Sequence, residues 1–211
     1  MSDLAQRFLT AAMTDAVEAE DEIAAGVLDA ALRQFELFGI AKTTMDEVGR
    51  RARVARVTVY RRFPSKEALV EAVIMRELRR FHRQLTEATA PFLDPEQQLV
   101  EGFAFTVKAV SDHKLLQRLL ESEADQLLPH FTTSGAPLLE VGRAFLAARM
   151  AEQLDDGRSF EEMLVAADVA SRLVISYAIT SGGPVSFADL DDARAFARTY
   201  LVAILRADLA G

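Results

Sequence analysis

Between Gly39 and Pro64 the sequence has room for two short helices and nothing longer, and this constrains the fold more than any other feature. Thr44-Met45-Asp46-Glu47 has the form of a capping box, in which the Thr44 hydroxyl takes the amide of Glu47 and the Glu47 carboxylate reaches back. A helix is expected from there to about Ala52, with Val48 inward. After Arg53 and Val54 a second segment runs to Phe63, with Val54, Val59 and Phe63 as its inward set, and Pro64-Ser65 stops it. Neither segment is long enough to be stable alone, so both need a platform. The flanks supply one. Glu22 to Phe38 places Ile23, Val27, Ala31, Phe35 and Phe38 at helical spacings of three and four, and Gly39 suits the left-handed residue that ends a helix. On the other side Ser65 caps a long helix from Lys66 to about Ala88. Two short helices and a tight turn on such a platform read as a helix-turn-helix, whose second helix enters the DNA major groove.

Charge points the same way. The 211-residue chain has a formal net charge of −8. From Lys42 to Lys66, eight bases face two acids, Asp46 and Glu47, for a local +6. The other 16 bases and 30 acids leave −14. A cationic patch on an anionic body attracts a polyanion at one place and repels it elsewhere. An arginine run is also what a solvated face looks like; the capping box and the turn favour the nucleic-acid reading.

The rest of the chain is expected to be helical too. Ala, Leu, Glu and Arg are abundant, and only six prolines and ten glycines interrupt them. Asp94, Pro95 and Gln97 form a helix start. Helices are expected over 95–113, 114–128, 136–155, 160–181 and 190–209, with stops at Pro129, Gly135, Asp156-Gly157 and Gly182-Gly183-Pro184. There is no cysteine, so no disulfide or thiolate metal site can form. Met1 to Glu20 lacks the basic start of a signal peptide, and Leu173 to Ala188, the longest uncharged run, is too short to span a bilayer. A cytoplasmic protein with no membrane partner is expected. No Gly-x-Ser-x-Gly, phosphate loop or His-Glu-x-x-His is present, so no enzyme, cofactor or metal is expected. Glu121, Glu123 and Asp125 read as solvent-facing, and His113 and His130, near helix ends, as C-caps or else ligand contacts.

"VLDAALRQFELFGIAKTTMDEVGRRARVARVTVYRRFPSKEAL", Val27 to Leu69, resembles the N-terminal domain of the TetR/AcrR family of bacterial transcriptional regulators. Ala31, Phe35, Gly39, Thr43-Thr44, Val48, Tyr60, Phe63 and Lys66-Glu67-Ala68-Leu69 carry the likeness. Two later stretches, "ESEADQLLPHFTTSGAPLL" and "ADLDDARAFARTYLVAIL", are similar to actinobacterial-type members. The chain departs from the pattern at Arg53, where the turn usually has Gly, at Ala55, where the second helix usually has a Ser or Thr cap, and at Val57 and Arg62. A left-handed non-Gly residue costs about 1–2 kcal/mol and a missing cap about 0.5–2 kcal/mol, so a less rigid recognition helix is expected.

The resemblance implies an all-α protein with an N-terminal extension (1–19), a helix-turn-helix DNA-binding domain (20–88) and an effector-binding and dimerisation domain (89–211). It implies a homodimeric repressor, bound to double-stranded operator DNA and released by a small-molecule effector. Candidate DNA contacts are Thr44, Arg56, Val57, Thr58, Tyr60, Arg61, Arg62 and Lys66. Arg56 can pair with guanine and Val57 can pack on a thymine methyl. Arg61 and Thr58 can reach a base or a phosphate. Tyr60 contacts phosphate by resemblance. Thr44 and Lys66 sit at helix N-termini, which favour anions. Leu173, Val174 and Tyr177 form one apolar stripe, and Phe196, Tyr200 and Ile204 another. Such stripes serve an intramolecular core or an interface; the resemblance implies a dimer interface. Met75, Phe103, Phe105, Phe131, Phe145 and Met150 are ordinary core residues or walls of an apolar pocket. The alternative reading is a helical small-molecule-binding protein whose DNA-binding head is vestigial, and Arg53 and Ala55 favour it.

Overall fold

The computed structural model of the protein describes residues 21–133, 136–153, 159–180, 185, 187 and 189–206. Those residues form helices and connections, with no strand among them. Packing divides them into two units, one of residues 21–80 with 113–128, the other of 81–112 with the described residues from 129 onward. Residues 113–128 pack with the N-terminal head, and the long helix contributes to both units.

The head begins with α1 (Glu22–Phe38). Asp21 caps it by accepting the Ile23 N–H at 3.1 Å. Its inward face is Val27, Leu28, Ala31 and Phe35, all buried. Ile23 and Phe38, expected on that face, are exposed, because the inward stripe closes at Val27 and Phe35. Gly39 ends α1 at φ 83°, ψ 167°, a conformation open to glycine. A Cβ there would also overlap the Glu123 carboxylate. The chain then enters α2 (Met45–Ala52), α3 (Arg56–Arg62) and α4 (Lys66–Thr89). Val48 and Val59 are fully buried, and Val54 and Phe63 pack against the same cluster. Ser65 caps α4 by accepting the Ala68 N–H at 3.1 Å.

The α1–α3 core is closed by α6 (Lys114–Ser122), which buries Leu115 and Leu119 among Val27, Phe35, Leu69 and Val73. His113 is the N-cap of α6, with Nδ1 accepting the Leu116 N–H at 3.2 Å. The expected C-cap is therefore corrected: α5 (Pro95–Asp112) stops one residue short, and His113 turns forward to cap its successor. The His130 side chain lies outside the described residues. The single helix expected over 114–128 is also corrected. It breaks at Glu123, and α7 (Ala124–Phe131) runs past Pro129. Glu123 leaves the helix because its carboxylate accepts the Ala41 N–H, at 3.0 and 3.1 Å. Pro129 then falls in the last turn of α7, where its missing N–H leaves out one i→i−4 hydrogen bond.

The second unit is built from α5, α8 (Ala136–Gln153), α9 (Phe160–Ile179) and a last helical run. That run is α10 (Leu190–Phe196), a π-helical turn (Ala197–Leu201) and α11 (Val202–Arg206). Ala193, Ala197 and Leu201 are buried at strict spacings of four, and the wider π turn keeps the last two on one face. They pack on Val100, Phe103, Ala104 and Val107 of α5. Arg194 Nε donates to both Glu101 oxygens, at 3.0 and 2.9 Å, and fixes this run on α5. No helix of the described residues is long and apolar enough to cross a membrane.

Candidate nucleic-acid interface

The geometry of α3 follows from what it buries. Val59 faces the core, and Gly49 of α2 lets it approach. A Cβ on Gly49 would come within 3.3 Å of both a Val59 methyl and the Val54 carbonyl. The turn before α3 places Arg53 in the left-handed region, φ 58°, ψ 36°, as expected of a position that usually holds glycine. Ala55 makes no side-chain cap, also as expected. Each end of the helix carries an exposed ion pair, which restrains its side chains but stabilises it little. At the start, Arg56 donates to Asp46 of α2 at 2.9 Å. At the finish, Arg62 is paired with Asp21, the N-cap of α1.

With Val59 inward, Arg56, Val57, Tyr60 and Arg61 lie exposed, Val57 most of all at 74%. The Tyr60 ring lies beneath the Arg56 guanidinium, 5.2 Å from Cζ to the ring centre. Thr58 is half-buried. Arg62 is exposed too, but its guanidinium goes to Asp21. So α3 presents two arginines, an aromatic ring and an aliphatic side chain at the ridge of the head.

Two helix N-termini flank this ridge. At α2 the capping box is complete. Glu47 N–H donates to Thr44 Oγ1 at 3.3 Å, and the Thr44 N–H and hydroxyl donate to Glu47 Oε2 at 2.8 and 2.7 Å. The Thr44 hydroxyl holds the Glu47 carboxyl below the usual glutamate range, and the backbone bond from Thr44 adds to this. At α4, Lys66 Nζ donates to the Ala41 carbonyl at 3.1 Å. The backbone of Ala41 is thus held at both of its polar groups, its N–H by Glu123 and its C=O by Lys66. Sequence reasoning missed this clamp. Glu123 is 82 residues from Ala41 and looked like one of three solvent-facing acids.

In the second unit the residues singled out from sequence divide. Leu173, Val174, Phe196 and Ile204 are half-buried against the unit's own core. Tyr177 and Phe196 join Phe103, Phe187 and Tyr200 in a ring cluster with centroids 4.5 to 5.6 Å apart. Tyr200 is 54% exposed. Met150 lines an apolar crevice with Leu99, Leu146, Ala170, Leu201 and Ile204. Phe103 is instead buried in the core, Phe105 packs on Phe81 at 5.9 Å, and Phe131 is half-buried at the end of α7. Met75 belongs to the head unit. The side chain of Phe145 lies outside the described residues. Phe187, absent from every stripe, was missed because it stands alone in a loop.

These features define a helix-turn-helix protein: a three-helix head that exposes a basic, uncapped recognition helix, with a helical remainder among the described residues. The model of bacterial regulatory proteins of the tetR family matches residues 27–73, and that of the tetracycline repressor C-terminal domain matches residues 94–190. The chain belongs to the TetR family of transcriptional regulators. It is 36% identical over 90 residues to the HTH-type transcriptional regulator Rv1255c of Mycobacterium tuberculosis, covering 43% of this chain and 45% of that protein. To YhgD, an HTH-type transcriptional regulator of Bacillus subtilis, it is 27% identical over 99 residues, 47% of this chain and 52% of that one. The matched part thus spans about half the length of these relatives. Two solved structures share the fold. The TetR-family repressor AlkX of a Dietzia strain, implicated in biodegradation of n-alkanes, superposes with TM-score 0.61 at 21% identity, over 86% of this chain and 95% of that one. The fatty acid degradation regulator FadR of Bacillus halodurans gives 0.55 at 16% identity, over 90% and 97%.

Proposed function

We propose that the protein is a cytoplasmic homodimeric repressor that binds double-stranded operator DNA through α3 and is released by an apolar small molecule. The observation that carries this reading is the exposed ridge of Arg56, Val57, Tyr60 and Arg61 standing over the buried Val59. In the groove, Arg56 suits guanine and Val57 a thymine methyl. Arg61, Thr58 and Tyr60 are within reach of a base or phosphate from the same helix. Thr44 and Lys66 bring helix N-termini to the phosphates. Arg62, paired with Asp21 at the end of α3, joins the DNA contacts when that pair opens.

The dimer is assigned to α9 and the run α10–α11, where Tyr200 and Val165 remain exposed beside the half-buried Leu173, Val174, Tyr177, Phe196 and Ile204. The effector is assigned to the second unit. Its crevice is lined by Leu99, Leu146, Met150 and Leu201 and has a volume of about 20 Å³, so it must widen to admit an aliphatic molecule, a class in keeping with the alkane- and fatty-acid-linked roles of the two structural neighbours. Its effect on DNA is assigned to α4, whose residues belong to both units. A tenfold loss of operator affinity requires about 1.4 kcal/mol of coupling.

The test is binding of the full chain to duplex DNA from upstream of its own gene across a salt series. Lys66→Ala is expected to weaken all sequences alike and flatten the salt slope, and Ile204→Glu to yield monomers in sedimentation and abolish operator binding. A wild-type protein that binds no duplex would leave the vestigial-head alternative, for which Arg53 and the uncapped Ala55 speak.

A further inference from the structure

Two contacts converge on the Arg56 guanidinium. Asp46 Oδ2 accepts from Nη1 at 2.9 Å, and the Tyr60 ring lies against one face at 5.2 Å. Asp46 is the second residue of α2 and Arg56 the first of α3, so the pair bridges the two short helices along the exposed ridge. Both side chains are more than half exposed, 65% and 53%. An ion pair that open contributes little to stability. What it does constrain is direction. An arginine side chain is flexible and carries five N–H donors in a planar fork. With Nη1 taken by Asp46 and Cζ held over the Tyr60 ring, the side chain is restricted in direction, and Nε–H and Nη2–H remain as a parallel pair. That pair matches guanine, which presents two acceptors, O6 and N7, on its major-groove edge; adenine presents one acceptor and one donor.

The carboxylate has a second effect. Asp46 and Glu47 are the acids within the +6 window, and Glu47 is occupied by the Thr44 capping box. Asp46 therefore places an exposed negative charge where phosphates approach. That charge opposes binding to every sequence, and the opposition is recovered only where Arg56 meets its base.

We propose that Asp46 is a specificity-determining positioning residue, which aims Arg56 at a guanine and lowers affinity for all other DNA. The inference rests on the reading of α3 as the DNA-reading helix and adds to it which base is read and what enforces the reading.

The experiment begins by selecting duplexes from a random-sequence pool with the full-length wild-type protein. Wild type, Asp46→Asn, Asp46→Glu and Arg56→Ala are then titrated against three duplexes. These are the selected duplex, the same duplex with its preferred guanine replaced by 7-deazaguanine or adenine, and an unselected duplex. Wild type is expected to prefer guanine at one position by about 10- to 100-fold, and Arg56→Ala to lose that preference. Asp46→Asn is expected to bind the unselected duplex about threefold tighter and to retain at most about a fifth of the guanine preference, with other positions unchanged. Asp46→Glu, which keeps the charge and can reach Nη1, is expected to retain most of it. This variant also decides the matter if Asp46→Asn proves unstable. Equal tightening of Asp46→Asn on guanine and adenine duplexes would overturn the proposal, because Asp46 would then act as bulk charge alone. Retention of the guanine preference by Arg56→Ala would overturn it as well. If wild type enriches no sequence at all, the DNA-binding reading itself falls, a result distinct from both.

Discussion

The two units hold their helices together by different means. In the head, most joints are directional. Gly39 is set at positive φ against Glu123, the Ala41 backbone is held by Glu123 and Lys66, Thr44 and Glu47 close a capping box, and α3 is tied by an arginine at each end. In the second unit the joints between helix faces are mainly contacts of small apolar residues. Ala104, Ala147, Ala167, Ala170, Ala193 and Ala197 are all buried, and a cluster of rings fills the rest. It has directional elements of its own, the Ser159–Glu162 capping box and the Arg194–Glu101 pair. The difference is instructive. A hydrogen-bonded joint must break to move, whereas alanine faces and rings can slide with little loss of contact. The head is held to one shape by bonds, and the second unit has fewer bonds to break if its helix faces shift.

Substitutions can break or sharpen that contrast, and the largest effect is expected at Gly39. Gly39→Ala combines a positive φ with an overlap on Glu123, and is expected to cost about 2–4 kcal/mol in urea unfolding. In a Glu123→Ala background the loss should shrink without vanishing, because the overlap goes and the backbone strain stays. An equal loss in both backgrounds would show that Glu123 does not crowd Gly39.

Next comes Arg194→Ala, which leaves the largely buried Glu101 carboxylate without its partner. A loss of about 1–2 kcal/mol is expected in the same assay, kept modest by the partial exposure of Arg194. Loss below the scatter of the measurement would mean that the last helical run is held by its alanines alone.

Ala55→Ser supplies the missing cap of α3, and a gain of about 1 kcal/mol is expected. Slower hydrogen exchange across Arg56–Arg62 is the accompanying signature. Gly102→Ala provides the counterpart to Gly39→Ala. Its Cβ would meet Thr89 and Leu85 at 3.5 and 3.7 Å, ordinary contact distances within a helix. A gain of about 0.5–1 kcal/mol is expected, so one chemical change has opposite signs in the two units.

The smallest effect concerns pH. Because the Thr44 hydroxyl holds the folded Glu47 carboxyl below its ordinary range, Glu47 stabilises the head at neutral pH. That contribution is lost as the pH falls through the lowered folded value. The difference between wild type and Glu47→Gln should therefore be present near neutral pH and close in acid, as a urea series down to about pH 3 would show. A difference that persisted in acid would assign the effect to packing instead of charge.

What the sequence determined by itself was local. The Thr44–Glu47 box, the left-handed Arg53, the uncapped Ala55, the Ser65 and Asp94 caps and the inward Val59 all depend on residues within a few positions of one another. Backbone sterics and helix-end hydrogen bonds act over that range, so the letters suffice. The exposed ridge of α3 followed from the same source, since assigning Val59 inward leaves Arg56, Tyr60 and Arg61 outward. The tertiary structure decided what depends on distance in the chain. It broke the helix at Glu123, because that carboxylate found an amide 82 residues away. It turned Arg62 to Asp21 and Arg56 to Asp46, and put Phe187 among the rings. It also placed Leu173, Val174, Phe196 and Ile204 against the unit's own core, where periodicity had left core and interface open. A helical stripe states that a face will be covered. Only packing determines by what, because an apolar surface carries no record of its partner's address.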